Sequence, residues 1–220
     1  GDKSISHRVL MISSISKGVS RISNLCNSED VQVTIECLKL CGADIHLEGK
    51  ECWIRSDSLK NPSQSLDCGN SGTSIRLLSG LLAGQGIQAH LSGDSSLMCR
   101  PMDRVVDPLR IMGADISFSS KGIYLNQSKI KGQVIENKTS SAQVKSSIIL
   151  AALGGEGKTV LRESYNSRDH TERMLRFHSS SCIESSQNIE IFPETINAKN
   201  FDIPGDISKA SFLIALACLS

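Results

Sequence analysis

The chain has 220 residues, with 24 Lys and Arg against 23 Asp and Glu, a net charge of +1 and 39% hydrophobic residues, the make-up of a globular chain of one or two domains. Near-neutrality excludes a dedicated nucleic-acid or anionic-membrane binder, since both need a sustained basic field, and 4% aromatics supply few stacking platforms for single strands. No run approaches 18 apolar residues and no basic segment leads into an apolar one at the start, so a cytoplasmic chain with no membrane and no nucleic-acid partner is expected.

In chain order, the segment Lys3 to Met11 opens as an apolar helix carrying a basic residue, Arg8, in its early turns. An amphipathic helix is predicted over about 30 to 41, ending in Leu38-Lys-Leu-Cys-Gly-Ala-Asp-Ile45, where Gly42 suits the left-handed position after a helix. Strands are predicted at Ala43 to Leu47 and Glu51 to Arg55. The same block returns as Leu109-Arg-Ile-Met-Gly-Ala-Asp-Ile116, closing a helix over about 101 to 112 and leading to strands at Ala114 to Phe118 and Gly122 to Leu125. A third, degraded copy stands at Leu175-Arg-Phe-His-Ser-Ser-Ser-Cys182, trailed by Asn188 to Phe192. There Ser179 replaces the glycine, so either a residue with a Cβ takes a positive φ or the chain is re-routed.

Between these copies lie further small-residue-rich helices with an early basic residue, around Arg76, Lys145 and Lys209. The unit is therefore read as β-α-β-α-β-β, three times over, followed by the opening helix of a fourth, Ser208 to Leu219, which stops at Ser220. That helix is apolar with no strands after it, and the first residues are already a polar motif, so the chain reads as a piece of a longer protein. The eight cysteines (26, 37, 41, 52, 68, 99, 182 and 218) contain no CxxC pair and read as reduced thiols. Cys37 and Cys41 lie one helical turn apart, but no histidine stands at ligand spacing, and no metal site is expected.

The turns that enter helices share a chemistry: Gly1-Asp-Lys3-Ser4-Ile-Ser-His-Arg8, Gly69-Asn70-Ser-Gly72-Thr73, Gly93-Asp-Ser-Ser with Arg100-Pro101, Thr139-Ser-Ser141-Ala-Gln143 and Ser167-Arg168-Asp-His-Thr-Glu172. Each offers unpaired helix amides, hydroxyls and cations, the parts of an anion site, whereas any one serine alone reads as an ordinary cap. Five such turns point to a multiply anionic ligand. Gly72 leaves room for close approach, and Pro101 places Arg100, a planar fork for carboxylate or phosphate, at the start of the following helix.

Together with Ser141-Ala-Gln-Val-Lys-Ser146, Ser167-Arg-Asp-His-Thr-Glu-Arg-Met-Leu175 and Pro204-Gly-Asp-Ile-Ser208, these motifs resemble, in order and over essentially the whole chain, those of the 5-enolpyruvylshikimate-3-phosphate (EPSP) synthases. The resemblance implies an α/β (α+β) fold, an enolpyruvyl transferase-like globule of three β-α-β-α-β-β repeats about a pseudo-threefold axis, plus the start of a second globule. The expected division is residues 1–203 and 204–220. It further implies transfer of the enolpyruvyl group of phosphoenolpyruvate to the 5-hydroxyl of shikimate-3-phosphate in chorismate biosynthesis, with no cofactor or metal, by a monomeric parent protein.

Carried over motif by motif, Lys3 touches both substrates, and Ser4, Arg8, Ser141 and Gln143 hold shikimate-3-phosphate, Gln143 also reaching toward phosphoenolpyruvate. Gly72 and Arg100 bind phosphoenolpyruvate, with Asn70 and Thr73 shaping the loop; Ser167 and Arg168 approach the ring or its phosphate. Asp30 matches an acid on the phosphoenolpyruvate side, or is simply a carboxylate at a helix N-terminus. The proton-transferring carboxylates of the family have no counterpart in these residues and are expected beyond Ser220, so half a catalytic cleft, inactive alone, is expected. Two alternatives are a UDP-N-acetylglucosamine enolpyruvyl transferase, for which Cys99 beside Arg100 is the one suggestive residue, and a catalytically silent anion-binding module.

Overall fold

The protein is described from a computed structural model covering residues 1–56, 58–164, 166–178, 182–184 and 188–219. The first unit runs α1 (Lys3–Ser14), β1 (Val19–Ser23), α2 (Glu29–Leu40), β2 (Asp44–Glu48) and β3 (Glu51–Arg55). The second runs β4 (Leu66–Asp67), α3 (Gly72–Gly84), β5 (Ala89–Ser92), α4 (Ser95–Met98), α5 (Asp103–Ile111), β6 (Ile116–Ser119) and β7 (Gly122–Leu125). The third runs β8 (Val134–Asn137), α6 (Ala142–Leu153), β9 (Thr159–Glu163), α7 (His170–His178), β10 (Cys182–Glu184) and β11 (Asn188–Ile191), and is followed by β12 (Phe201–Asp202) and α8 (Ile207–Leu219).

These strands make three four-stranded sheets of one design, ordered β12-β1-β3-β2, β4-β5-β7-β6 and β8-β9-β11-β10. In each, a short leading strand lies parallel to the strand after the inner helix, and the closing hairpin pairs antiparallel. The leading strand of the first sheet is β12, with Ile22 opposite Phe201, so the chain closes its first unit with residues that follow its third. The two stretches meet again where the Asp2 amide donates to the Pro204 carbonyl at 2.7 Å.

Two kinds of helix result from two kinds of pattern. Rich in apolar and small residues, with only a few charged ones near their starts, α1, α3 and α6 are buried over nearly their whole circumference, from Ser6 to Ser14, Leu77 to Gly84 and Val144 to Leu153. By contrast α2, α5 and α7 bury one stripe each, such as Val31, Ile35 and Leu38 or Val105, Val106 and Leu109. The repeated Gly-Ala-Asp blocks end α2 and α5 as their sequence predicts, with φ +91° at Gly42 and +97° at Gly113. In both, the glycine amide returns to the third carbonyl before it, and the following alanine amide to the fifth: Ala43 to Leu38 at 3.0 Å and Ala114 to Leu109 at 2.9 Å. The counterpart at Ser179 lies outside the described residues.

One placement differs from expectation. Asp94 accepts from the Leu97 amide at 2.7 Å and nucleates the extra turn α4, so α5 begins only at Asp103. Arg100 therefore stands in the link between two helices, its amide bonded to the Leu97 carbonyl, and not in the cap of the helix that follows. The last helix, α8, buries none of its residues, leaving Phe212 81% and Leu216 66% exposed. Ser220, the residue beyond which the family's proton-transferring carboxylates are expected, lies outside the described residues.

The inner helices α3 and α6 touch backbone to backbone. A Cβ on Gly80 would lie 2.1 Å from the Ser147 carbonyl oxygen, and one on Gly84 2.6 Å from that of Ala151. Alanine's higher helix propensity is worth about 1 kcal/mol, less than the helix separation it would force, since overpacking costs about 1–3 kcal/mol and more when the obstacle is backbone. Gly80→Ala is therefore expected to lower stability by about 2 kcal/mol or more net, read as a lower urea midpoint at unchanged m-value; an unchanged or raised midpoint would contradict the close packing.

Candidate active site

The closeness of the inner helices sets their N-terminal ends side by side. Asp2 caps α1 by accepting from the Ile5 amide at 2.8 Å, Ser71 caps α3 through the Ser74 amide at 3.2 Å, and Ser141 caps α6 through the Val144 amide at 3.4 Å. Just beyond these caps opens a cavity of about 460 Å³, lined by Ser4 and Arg8 from α1, Thr73 from α3, Ser140 to Gln143 at α6, and Asn166, Ser167 and Arg168 before α7. Ser4, Arg8, Ser141, Gln143, Ser167 and Arg168 thus line one cavity, joined there by Thr73 from the Gly72 loop. No carboxylate lines the cavity among the described residues, and three helix N-termini direct their positive ends at it.

Arg8 is only 3% exposed, and most of its donors are already used. Its Nε–H is shared between Thr171 Oγ1 at 2.9 Å and Ser146 Oγ at 3.2 Å; Nη1 donates to the Ser4 carbonyl at 2.9 Å, and Nη2 to Ser146 Oγ at 2.8 Å and the Ala142 carbonyl at 3.3 Å. One Nη1 hydrogen is left to face the cavity. Burial pushes the guanidinium down to about 10, which leaves it charged at neutral pH, and the charges of Glu172 and then Asp2 partly compensate. Removing this side chain breaks a scaffold before it weakens a ligand contact, so Arg168, exposed and bonded to Ser208 Oγ at 3.3 Å, is the better probe of binding.

A second cluster adjoins the first through Gln143, whose Nε2 donates to Thr73 Oγ1 and whose Oε1 accepts from Arg76, both at 2.9 Å. Arg76 also donates to the Gly72 carbonyl at 3.3 Å, and Arg100 donates to Asn70 Oδ1. The space over Gly72 belongs to these two guanidiniums: a Cβ there would lie 2.8 Å from Arg76 Nη1 and 3.0 Å from Arg100 Nη1. Burial, and then repulsion from Arg100 and Arg104, pushes the Arg76 guanidinium below its usual value. Two like charges gathered over one glycine, with no salt bridge to either among the described residues, form a place for an anion.

Lys3 and Asp30 stand between α1 and α2, and do not line the cavity. They pair with each other at 2.8 Å, Lys3 Nζ to Asp30 Oδ2. Behind them a buried chain of polar groups joins three helices: His7 Nδ1 to Thr34 Oγ1 at 2.7 Å, Thr34 to Ser74 Oγ at 2.7 Å, and Ser74 to the capping Ser71 Oγ at 2.6 Å. His7 Nε2 is buried with no hydrogen-bond partner among the described residues, so the tautomer with its proton on Nδ1 avoids stranding a donor. Burial pushes this imidazole down to about 4.

Comparison with known proteins shows the family. The family described as EPSP synthase (3-phosphoshikimate 1-carboxyvinyltransferase) matches residues 1–220, Gly1 to Ser220. The chain belongs to the EPSP synthase family. It is 44% identical over 222 residues to the 3-phosphoshikimate 1-carboxyvinyltransferase of Alkaliphilus metalliredigens, covering 98% of this chain and 52% of that protein. It is 42% identical over 234 residues to that of Geobacter sp. strain M21, covering 100% of this chain and 53% of the relative. The structure of EPSP synthase from Acinetobacter baumannii superimposes with a TM-score of 0.90 at 37% identity, over 97% of this chain and 50% of that one. The chain therefore spans about half the length of the EPSP synthases it matches.

Sequence reasoning noted Arg76 as an early basic residue of its helix but gave it no site role, although it lies four residues after Gly72, one helical turn on and on the same face. It also passed over His7, Glu163 and Glu172, whose roles depend on what packs against them. Lys145, noted in the sequence only as an early basic residue of its helix, is turned inward against Glu163 and Glu172. No helix is long and apolar enough to cross a membrane among the described residues.

The depressed His7 sets a pH dependence. Above pH 6.5 the ring is neutral folded and unfolded; as pH falls toward 4 only the unfolded chain takes up the proton, so stability is lost through that window. At about 1.4 kcal/mol per unit, wild type should lose about 2–3 kcal/mol between pH 7 and 4.5 beyond what His7→Asn loses. Urea midpoints of both at the two pH values measure the difference, and parallel losses would mean that His7 titrates normally.

Proposed function

We propose that this chain supplies the shikimate-3-phosphate site and part of the phosphoenolpyruvate site of an EPSP synthase, which transfers the enolpyruvyl group to the 5-hydroxyl of shikimate-3-phosphate and releases phosphate. One observation carries the reading: the first turns of three inner helices meet Ser167 and Arg168 at a cavity with no carboxylate in its lining among the described residues, beside two arginines crowded over Gly72. In this reading residues 1–203 form one globule about a pseudo-threefold axis, and residues 204–220 begin a second.

Hydroxyls of Ser4, Ser141 and Ser167 suit the polyol ring and its phosphate, and Arg168 and the free Arg8 hydrogen offset the phosphate charge. Arg76 and Arg100 suit the carboxylate and phosphate of phosphoenolpyruvate, and Gln143, bonded to both Thr73 and Arg76, sits where the two substrates meet. Charge developing in a tetrahedral adduct would then fall among donors that are already oriented. The proton steps need carboxylates free to exchange protons, yet Asp30 is paired with Lys3, and Glu163 and Glu172 are held by Lys145. In this reading the acid and base lie beyond Ser220, outside these 220 residues, and the chain alone shows no phosphate release with both substrates.

Titrations of the chain followed by NMR test the reading. Arg168→Ala should weaken shikimate-3-phosphate by about 1.5–3 kcal/mol, as expected for a hydrogen bond to a charged group, and added salt should weaken it further. Gly72→Ala displaces two flexible guanidinium ends and not backbone, so it should fold normally and weaken phosphoenolpyruvate about tenfold, near 1.4 kcal/mol. Equal affinity of wild type and both variants would remove these residues from the site.

A further inference from the structure

Beneath the cavity lies a group that no ligand can reach. Lys145, one turn into α6, has a side chain only 2% exposed. Its Nζ contacts Glu172 Oε1 at 2.6 Å, Glu163 Oε2 at 2.9 Å and the Ser167 carbonyl at 3.3 Å. Glu163 in turn accepts from Ser167 Oγ through Oε1 at 3.0 Å, so one carboxylate holds both the ammonium and a cavity-lining hydroxyl. Burial would lower the Lys145 ammonium, but hydrogen bonds and charge from Glu172 and Glu163 outweigh it and hold it above its ordinary value. With Arg8 nearby, the buried set of two cations and two carboxylates is neutral.

The cavity has two facing walls: Ser140 to Gln143 at the start of α6, and Asn166 to Arg168 ahead of α7. Below it, the Lys145 ammonium joins α6 to the second wall, while the Lys145 amide bonds the carbonyl of Ser141 on the first at 3.1 Å. Buried ion groups of this kind add little net stability over an apolar core, whereas losing one member leaves a charge uncompensated. Their benefit is a fixed geometry.

We propose that Lys145 is a positioning residue: by tying the Glu163–Arg168 segment to α6 it fixes the spacing of the two walls that receive the phosphate-bearing substrate. The inference rests on the reading of this cavity as the shikimate-3-phosphate site. Lys145 touches no substrate. It acts through Ser167 and Glu163, and so bears on one ligand and not on the other, since the arginines over Gly72 belong to α3 and the link after α4.

Lys145→Met leaves two buried carboxylates facing each other and can fail to fold, so the deciding variant is Lys145→Met/Glu172→Gln, which keeps the set neutral with Arg8 and Glu163. In the 220-residue chain this double variant should bind shikimate-3-phosphate about tenfold or more weakly while phosphoenolpyruvate changes by less than about twofold. Amide hydrogen exchange should quicken at Ser164, Asn166, Ser167 and Arg168 and stay as in wild type at Gly72 and Thr73. Equal weakening of both ligands, or no change in either, would overturn the proposal. Should wild type bind neither ligand, the substrate reading fails by itself. Exchange then decides for Lys145: quickening confined to 164–168 supports the tie, and uniform or absent quickening refutes it.

Discussion

The contact on which the site depends is the approach of α3 to α6, helix backbone against helix backbone at Gly80 and Gly84. Only residues without a Cβ allow that distance, and only that distance brings Thr73 and Arg76 within hydrogen-bond reach of Gln143. A wider spacing would separate the two polar clusters that Gln143 joins. Packing deep in the globule thus sets the geometry at its rim.

A second constraint follows from how charge is distributed. The cations at the starts of the helices divide into those held in ion pairs or buried networks and those left without a salt bridge. Arg8 and Lys145 are buried and compensated by Glu163 and Glu172, and Lys3 is paired with Asp30. Arg76, Arg100 and Arg168 form no salt bridge among the described residues, and they border the cavity and the loop over Gly72. The positive field that would draw an anionic ligand therefore comes from a few side chains together with three helix ends, in a chain whose net charge is only +1.

The closure of the first sheet by β12 has a consequence for stability. Because Ile22 pairs with Phe201 and the Asp2 amide with Pro204, the first helix and the last strand are fastened together, and Lys3 and Ser4 are anchored from the far end of the chain. The site cannot be complete until the third unit is.

The sequence by itself determined the repeating unit, because Gly-Ala-Asp after a helix is a local signal: left-handed φ at glycine and the two returning amides need no partner beyond the helix that precedes them. It also showed which helix-entry turns gather hydroxyls, helix amides and cations, since these are consecutive in the chain. Arg100 shows how far local reading reaches, for the extra turn nucleated by Asp94 moved it from a cap into a link. What the tertiary structure alone decided is the direction each charged side chain faces. Lys145 and Arg8 stand in the same kind of motif as Arg168, yet burial and the carboxylates brought by α7 and β9 made two of them scaffold and left the third to solvent. Such pairings join residues far apart in the chain, and no local pattern encodes them.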